Sequence, residues 1–238
     1  MYHELFPPRE LEPFLECLWV HAVSPTQHTQ MHRVLPDGCV DLISGLHGEP
    51  TVVGPMTRHA LIPIAPGTVI VGARFRPGTA PAFLRCASNM LLDSEHEVSA
   101  VLPGLDVHSL EDGSVAKRLE RLRRILVNRL DDSQPDWMAR VSADQLRKQP
   151  TTSVASLSRS LGVSERQLLR RFEAGVGYPP SFFRRVVRLQ RLAHLPRVAN
   201  QSTNLARVAL ETGYADQAHM NRDVRQLAGL TPKEFLGA

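Results

Sequence analysis

The chain has 238 residues, of which 42% are hydrophobic and 22% charged, an ordinary composition for a soluble globular protein that buries a core. No apolar run reaches the ~18 residues of a membrane span, and the first residues lack the pattern of a signal peptide, so we expect a cytoplasmic protein without a membrane partner. The net charge of +4 is uneven: residues 1–150 hold 15 Lys and Arg against 18 Asp and Glu, and residues 151–238 hold 13 against 6. This asymmetry favours a polyanion-binding domain joined to a domain with another role.

Cysteine usage excludes a disulfide framework or a zinc cluster, because Cys17, Cys39 and Cys86 are few and scattered. We expect them to be small buried hydrophobic residues. No nucleophile–base arrangement, metal cluster or phosphate loop is evident either. The sequence therefore predicts neither an enzyme nor a cofactor.

The first 112 residues are rich in Pro and Gly, with short apolar runs between turn signals. Strands are predicted at 19–23, 34–35, 39–43, 51–53 and 68–76. The segment 9–18 fits either a short helix or an edge strand. Many short strands at close spacing predict a small β-sandwich or barrel-like domain at residues 1–112.

Residues 114–130 predict an amphipathic helix, in which apolar side chains recur at helical spacing and arginines occupy the other face. The apolar stripe either packs on the β domain or forms a dimer contact; it consists of Val115, Leu119, Leu122, Leu126 and Leu130. The polar segment 131–135 ends the helix before Pro135. Residues 113–135 are therefore predicted to form a helix and a linker between two domains.

From residue 136 onward the pattern is helical almost throughout. Helices are predicted at 136–148, 153–160, 165–175, 180–195, 203–211 and 217–228, with a last one from Pro232. Gly162 and Gly213 each follow a predicted helix end, where a left-handed residue is needed. Ser164 and Asp216 are the predicted N-caps of the helices that follow these turns.

One pattern occurs twice in this helical part. The stretch 157–164 recurs at 208–216, and the stretch 177–183 recurs at 229–235, so the second copy has one inserted residue. A repeat of this period indicates two copies of one supersecondary unit. Each unit fits a helix, a tight turn at Gly and a second helix with polar residues outward, as in the helix-turn-helix readers of DNA. The two motifs are predicted at about 153–173 and 204–226.

The outward residues of the second helix in each unit suit base recognition. Arginine pairs bidentately with guanine, and glutamine with adenine, and residues near the N-terminus of such a helix reach the base edges. The predicted DNA-binding residues are Arg166, Gln167 and Arg170 in the first unit, and Gln217, His219, Asn221 and Arg222 in the second. The helix at 180–195 is about 24 Å long and separates two readers that would enter successive major grooves.

Four arginines on that connecting helix have several interpretations. They contact phosphates or face solvent, or one of them, Arg188, ties the two repeats together; the four are Arg184, Arg185, Arg188 and Arg191.

Residues 137–238 resemble the DNA-binding domain of the AraC/XylS family of bacterial transcription regulators. The resemblance rests on Leu161-Gly162-Val163-Ser164, Leu168, Arg171-Phe172, Gly177, Pro180, Phe183, Arg188-Leu189-Gln190-Arg191, Ala209, the run 213–219, Arg222 and the run 229–235. It implies two helix-turn-helix motifs joined by a long helix and bound to promoter DNA. It also implies base contacts at Arg166, Arg170, Gln217, His219, Asn221 and Arg222. Ser158, Met220 and Val224 depart from the family pattern. Met220 and Val224, which are softer or smaller core residues in the second unit, would loosen that unit relative to the first.

The N-terminal part resembles the cupin-like domains of some uncharacterised members of that family, in the segments 33–41, 54–58 and 72–78. The overall fold class is thus α+β multidomain, with a small β-sandwich or cupin-like domain before an all-α double helix-turn-helix domain at 136–238. The resemblance implies an effector site. Arginines on or beside the strands either converge on an anionic effector or pair with nearby carboxylates; the candidate residues are Arg33, Asp37, Asp41, Arg58, Arg74 and Arg76.

A metal is not expected in this cupin-like part. The histidines His21, His28 and His32 lack the His-x-His pair and spaced Glu that cupin metal sites use. They are predicted to be core or surface residues.

The leading hypothesis is a sequence-specific transcription regulator controlled by a small-molecule effector. The alternative is a ligand-independent DNA binder whose N-terminal domain mediates dimerisation or partner contact. The expected partners are promoter double-stranded DNA, an effector and RNA polymerase, and the chain would act as a monomer or a homodimer.

Overall fold

The computed structural model describes residues 1–46, 48–102, 110–130, 134–195 and 204–237. Within these ranges the strands are β1 Tyr2–Leu5, β2 Leu15–Ala22, β3 Gln30–Val34, β4 Val40–Ser44, β5 Thr51–Val53, β6 Ala60–Ile64, β7 Val69–Phe75 and β8 Glu95–Glu97. The helices are α1 Ala80–Leu84, α2 Val98–Val101, α3 Val115–Val127, α4 Trp137–Lys148, α5 Val154–Leu161, α6 Glu165–Val176, α7 Pro180–Ala193, α8 Leu205–Glu211, α9 Gln217–Ala228 and α10 Pro232–Gly237.

The strands form one large sheet and one small one. The large sheet is antiparallel with the strand order β1-β2-β7-β4-β5-β8, and β3 and β6 pair with each other as a two-stranded ribbon. A sheet-rich N-terminal part therefore precedes an all-helical C-terminal part, which confirms the predicted fold class.

Both faces of the large sheet are covered by hydrophobic cores. Side chains alternate between the two faces along each strand, so one strand can contribute to both cores. In β4, Val40 and Leu42 contribute to one core and Ile43 contributes to the other. The first core includes Leu122 and Leu126 of α3, both fully buried. The apolar stripe of α3 thus packs on the sheet, which decides between the two interpretations that the sequence left open.

One arginine of α3 is not on the exposed face. Arg118 is buried, with its guanidinium donating to the backbone oxygens of Leu110 and Val69 and to Ser44 Oγ at 2.9–3.0 Å. These three acceptors replace the water that burial removes. The predicted division of α3 into an apolar and an arginine face is therefore wrong at this position.

The ribbon covers the opposite face of the sheet. Ile64 of the ribbon packs against Trp19, Ile43 and Ile70 of the sheet. The first and last strands of the N-terminal part and the second ribbon strand were not expected from the sequence. The reason is that none of the three has a clear apolar strand pattern: all four residues of β1 are exposed, β6 contains a proline, and β8 carries two glutamates.

The C-terminal helices have the predicted order and nearly the predicted bounds. One core joins α4 to the first helix-turn-helix through Leu146, Leu157 and Phe172, and a second joins α7 to the second unit through Leu189 and Val224. Of the segment 9–18, residues 9–14 form a turn and residues 15–18 are the first part of β2. The predicted linker residues 131–133 and the predicted helix start at residue 203 lie outside the described residues.

No helix in the described part of the chain is long and apolar enough to cross a membrane.

Candidate nucleic-acid interface

The first unit consists of α5, a turn at Gly162 and α6. Gly162 has φ +67°, the left-handed conformation that a side chain rarely adopts, and it ends α5. Ser164 then caps α6 by accepting a hydrogen bond from the Gln167 amide at 3.2 Å. The departure at Ser158 is accommodated, since its buried hydroxyl donates to the Ala155 carbonyl at 3.1 Å.

The first turns of α6 present three uncommitted polar side chains. Arg166, Gln167 and Arg170 are exposed, whereas Leu168 and Phe172 on the other side are fully buried. Among the described residues, none makes a side-chain hydrogen bond or ion pair with these three. Arg171, one position on, is committed differently, because it pairs with Asp136 at 2.9 Å and ties α6 to the start of α4. The exposed face of α6 is therefore available to a ligand outside the chain.

The second unit repeats this geometry with α8, Gly213 and α9. Gly213 has φ +89°, and Asp216 caps α9 by accepting a hydrogen bond from the His219 amide at 2.6 Å. Met220 and Val224 are fully buried in its core.

The predicted readers of α9 have different environments. Gln217 and Arg222 are exposed and make no side-chain contact with the described part of the chain. His219 is half-buried, with its ring edge-on to Tyr214 and its Nε2 3.6 Å from the Asp223 carboxylate. Asn221 is also half-buried, and its Oδ1 has no hydrogen-bond partner among the described residues. Two of the four side chains are thus free and two are partly enclosed.

The arginines of the connecting helix α7 bond to other parts of the chain. Arg185 and Arg188 both pair with the buried carboxylate of Asp223 in α9, at 2.9 and 3.2 Å. Arg184 donates to the Thr152 carbonyl, and Arg191 donates to the carbonyls that end α4. Of the interpretations left open, the structure favours the one in which Arg188 links the repeats, and it adds Arg185 to the same link.

Among the described residues, the hydrogen bonds from the N-terminal part to α6 and α9 lie beyond the first turns of these helices. Ser88 Oγ donates to the Gly175 carbonyl of α6 at 2.7 Å. The His59 amide donates to the Leu227 carbonyl of α9 at 2.7 Å. Leu227 has the place in the second unit that Gly175 has in the first. The sheet-rich part therefore holds both helices near their C-terminal ends, at equivalent positions, and leaves their first turns exposed.

The residues predicted to bind an effector do not form one cluster. Arg74 lies between Asp37 and Asp41, at 3.4 and 3.3 Å. The other three arginines point elsewhere: Arg76 pairs with Glu16, Arg33 donates to the Ala228 carbonyl, and Arg58 is exposed. This arrangement favours the interpretation in which Arg74 and Arg76 pair with carboxylates.

Burial shifts the pKa of three groups in the N-terminal part. It raises the pKa of the Asp41 carboxyl, with Arg74 opposing that shift, and Trp19 Nε1 donates to the same carboxyl at 2.8 Å. Burial also lowers the pKa of His21 and of His32. Within the described residues, no group of three or more His, Cys, Asp or Glu side chains is arranged to hold a metal ion. Cys17 and Cys39 are buried and Cys86 is half-buried, all as free thiols.

These observations define a protein with two helix-turn-helix units whose exposed helix faces are suited to the DNA major groove. Residues 157–238 match the model of a helix-turn-helix domain, and residues 3–97 match that of a domain of unknown function. The C-terminal part is an AraC-type helix-turn-helix domain, and it follows the domain of unknown function at the N-terminus. A domain of this type supports DNA-binding transcription regulation. No curated protein sequence matches the chain significantly.

Several solved structures are similar to the chain. A probable AraC family transcriptional regulator from Rhodopseudomonas palustris is 26% identical, over 42% of this chain and 94% of that one, with a TM-score of 0.38. The C-terminal domain of AraT, a response regulator from Geobacillus stearothermophilus, is 17% identical over 42% and 84%, with a TM-score of 0.38. ToxT from Vibrio cholerae is 10% identical over 92% and 96%, with a TM-score of 0.47.

Proposed function

We propose that the chain is a sequence-specific transcription regulator that reads two successive major-groove segments with α6 and α9. The observation that carries this proposal is the exposure of uncommitted side chains on the first turns of both helices. Arg166, Gln167 and Arg170 read bases from α6, and Gln217 and Arg222 read them from α9. His219 and Asn221 complete the second set by moving outward when DNA binds.

The proposed roles of the two parts follow the charge distribution along the chain. Residues 136–238 bind promoter DNA, residues 1–112 form the sensor for a small-molecule effector, and residues 113–135 join them. The partners in this proposal are DNA, the effector and RNA polymerase in a bacterial cytoplasm, and no catalytic step is included.

The test is selection of bound sequences from a random DNA library at physiological salt, followed by titration of the preferred site. Arg170→Ala and Arg222→Ala should each weaken binding to that site by ~1–3 kcal/mol and relax specificity at separate positions. The matched control is Arg123→Ala, because Arg123 is a partly exposed arginine of α3 that pairs with Glu120 on the same helix. Equal losses on the preferred site and on random DNA would assign the residue to phosphate contact, and enrichment of no sequence would contradict the proposal.

One observation favours the alternative in which the N-terminal part also mediates dimerisation. Strand β1 is an edge strand with all four residues exposed, and Phe6 just after it is 97% exposed. An exposed edge pairs readily with a second copy. Sedimentation of the full chain and of its Phe6→Ser variant distinguishes the leading hypothesis from this alternative. A dimer that the substitution dissociates supports the alternative. A monomer in both proteins contradicts it.

A further inference from the structure

A cavity of about 120 Å³ lies between the ribbon and the large sheet. Its walls are mainly aliphatic and aromatic, with Trp19, Ile43 and Ile70 from the sheet and Val34, Ala60 and Ile62 from the ribbon. The polar groups at its surface include His21, His32 and the pair of Asp41 with Arg74. The sequence singled out Asp41 and Arg74 but not the apolar walls of the cavity, because the lining residues come from strands distant along the chain.

The charges at the cavity do not suit an anion. Arg74 already faces Asp37 and Asp41, so a ligand carboxylate would become the third around one guanidinium. Asp41 also accepts a hydrogen bond from Trp19. Burial lowers the pKa of His21 and disfavours its cationic form. A neutral molecule avoids all of these costs.

The volume limits the ligand to about one ring. An apolar protein cavity of ~150 Å³ holds one benzene molecule, and this cavity is slightly smaller. The His21 and His32 rings stack edge-on with centroids 4.9 Å apart. Neither ring makes a side-chain hydrogen bond to the described part of the chain, so an imidazole nitrogen is free to bond a ligand hydroxyl.

We propose that this cavity binds a small uncharged molecule of single-ring size that carries one hydroxyl or similar polar group. The inference rests on the proposed function in one respect, since it assigns this cavity as the site of the effector. It replaces the predicted anionic site, because three of that site's arginines have other partners and the fourth, Arg58, is exposed.

The ribbon connects this cavity to the second DNA-reading unit. In β3, His32 and Val34 line the cavity, and Arg33 between them projects to the other side and donates to the Ala228 carbonyl of α9 at 2.7 Å. Alternation of side chains along a strand requires this opposite orientation. At the start of β6, Ala60 lines the cavity, and the His59 amide before it donates to the Leu227 carbonyl.

The ribbon can pass the effect of ligand binding in the cavity on to α9, because its strands are not hydrogen-bonded to the described strands of the large sheet. β3 and β6 form backbone pairs with each other and, among the described strands, with no other. A ligand that shifts the ribbon shifts the two donors at the end of α9, while α6 is held independently through Ser88. The ligand therefore changes the orientation of one reading helix relative to the other.

The binding site is tested first, without DNA. The probes are 3-fluorophenol and 3-fluorobenzoate, which share a ring and differ in charge, observed by ¹⁹F line broadening on the full chain. We expect saturable broadening of the phenol that unlabelled phenol reverses, and at least tenfold weaker binding of the benzoate. Absence of saturable phenol binding, or tighter benzoate binding, would overturn the assignment.

Substitutions within one strand locate the probe. Ala60→Leu fills the cavity and should weaken phenol binding at least tenfold, whereas Leu61→Ala, on the exposed side of the same strand, should leave it unchanged. Val53→Phe fills the cavity from the sheet side and serves as the second variant should Ala60→Leu fail to fold. Binding that persists in a folded cavity-filling variant would overturn the site.

Coupling to DNA is measured separately. Phenol at saturation should change the affinity of the chain for its selected DNA site several-fold, and Arg33→Met should reduce that change while phenol binding is retained. Saturable phenol binding without any change in DNA affinity would leave the cavity established and would contradict effector control through the ribbon. Absence of specific DNA binding both with and without phenol would instead contradict the proposed function.

Discussion

Arg118 is the side chain whose position departs most from its sequence context. It lies on a helix rich in exposed arginines, yet it spans from α3 to β7 inside the first core and satisfies two carbonyls and a hydroxyl. Gly45 makes room for it, because a Cβ there would lie 2.4 Å from the Arg118 guanidinium. A single buried cation thus connects α3, the sheet and the segment that precedes α3.

Arg118→Met should therefore destabilise the fold although the replacement is apolar. It removes the donor to the Val69 carbonyl and to Ser44 Oγ, whereas the Leu110 carbonyl keeps a hydrogen bond from Ser44 Oγ. Each buried group left without a partner costs ~1–3 kcal/mol. We expect a decrease of about 2–3 kcal/mol or more in the free energy of unfolding, measured by urea denaturation. The control Arg123→Ala removes an exposed pair on the same helix and should cost at most ~0.5 kcal/mol. Equal effects of the two substitutions would contradict a structural role for Arg118.

Among the secondary-structure elements, helix α7 does more than separate the two helix-turn-helix units, because it is also bonded to α9. Its 14 residues span about 21 Å, and its arginines fix α9 through one buried carboxylate. Asp223 accepts from Arg185 and Arg188 and lies beside His219. The guanidinium of Arg188 also lies 5.2 Å from the centre of the Tyr214 ring. The softer core at Met220 and Val224 is thus accompanied by an ionic connection between α7 and α9.

Asp223→Ala should loosen the second unit more than the first. It leaves two partly buried guanidinium groups without their carboxylate, and loss of one partner of a buried pair costs ~3–5 kcal/mol. Because Arg185 is one-quarter exposed, we expect about 3 kcal/mol by urea denaturation. Hydrogen exchange should rise in α8 and α9 before α5 and α6. Glu211→Ala, which breaks the exposed pair with Arg207, is the control, and uniform exchange across both units would argue against this account.

Over the whole molecule, the sequence predicted the helices better than the sheet. The C-terminal helices are bounded by local signals, such as Gly162 with its positive φ and the cap at Ser164. The exposed faces of α6 and α9 follow from helical periodicity alone. The ribbon, the cavity and the burial of Arg118 depend on contacts between residues far apart in the chain, which periodicity does not encode. Periodicity also does not predict that His219 is partly enclosed, because its enclosure depends on Arg188 of another helix.

The contact between the ribbon and α9 should weaken in mild acid. Burial, followed by the charges of Arg33 and Arg58, lowers the pKa of His59 below its ordinary 6.5, whereas a hydrogen bond with the Leu227 backbone opposes the shift. A histidine with a lowered pKa in the folded state contributes stability above about pH 6.5, and that contribution is lost as the pH falls through the folded value. Protonation also adds a third positive charge beside the two arginines.

Thermal unfolding at pH 7.5 and at pH 5.5 isolates this contribution. The decrease in Tm on acidification should be smaller in His59→Gln than in the unmodified chain, because glutamine cannot take up the proton. His3→Gln, in the exposed strand β1, should retain the full decrease. Since the ring of His59 lies against Gly229 at the end of α9, the same acidification should also change DNA affinity in the unmodified chain and less in His59→Gln. An identical decrease in Tm in all three proteins would mean that His59 does not control this contact.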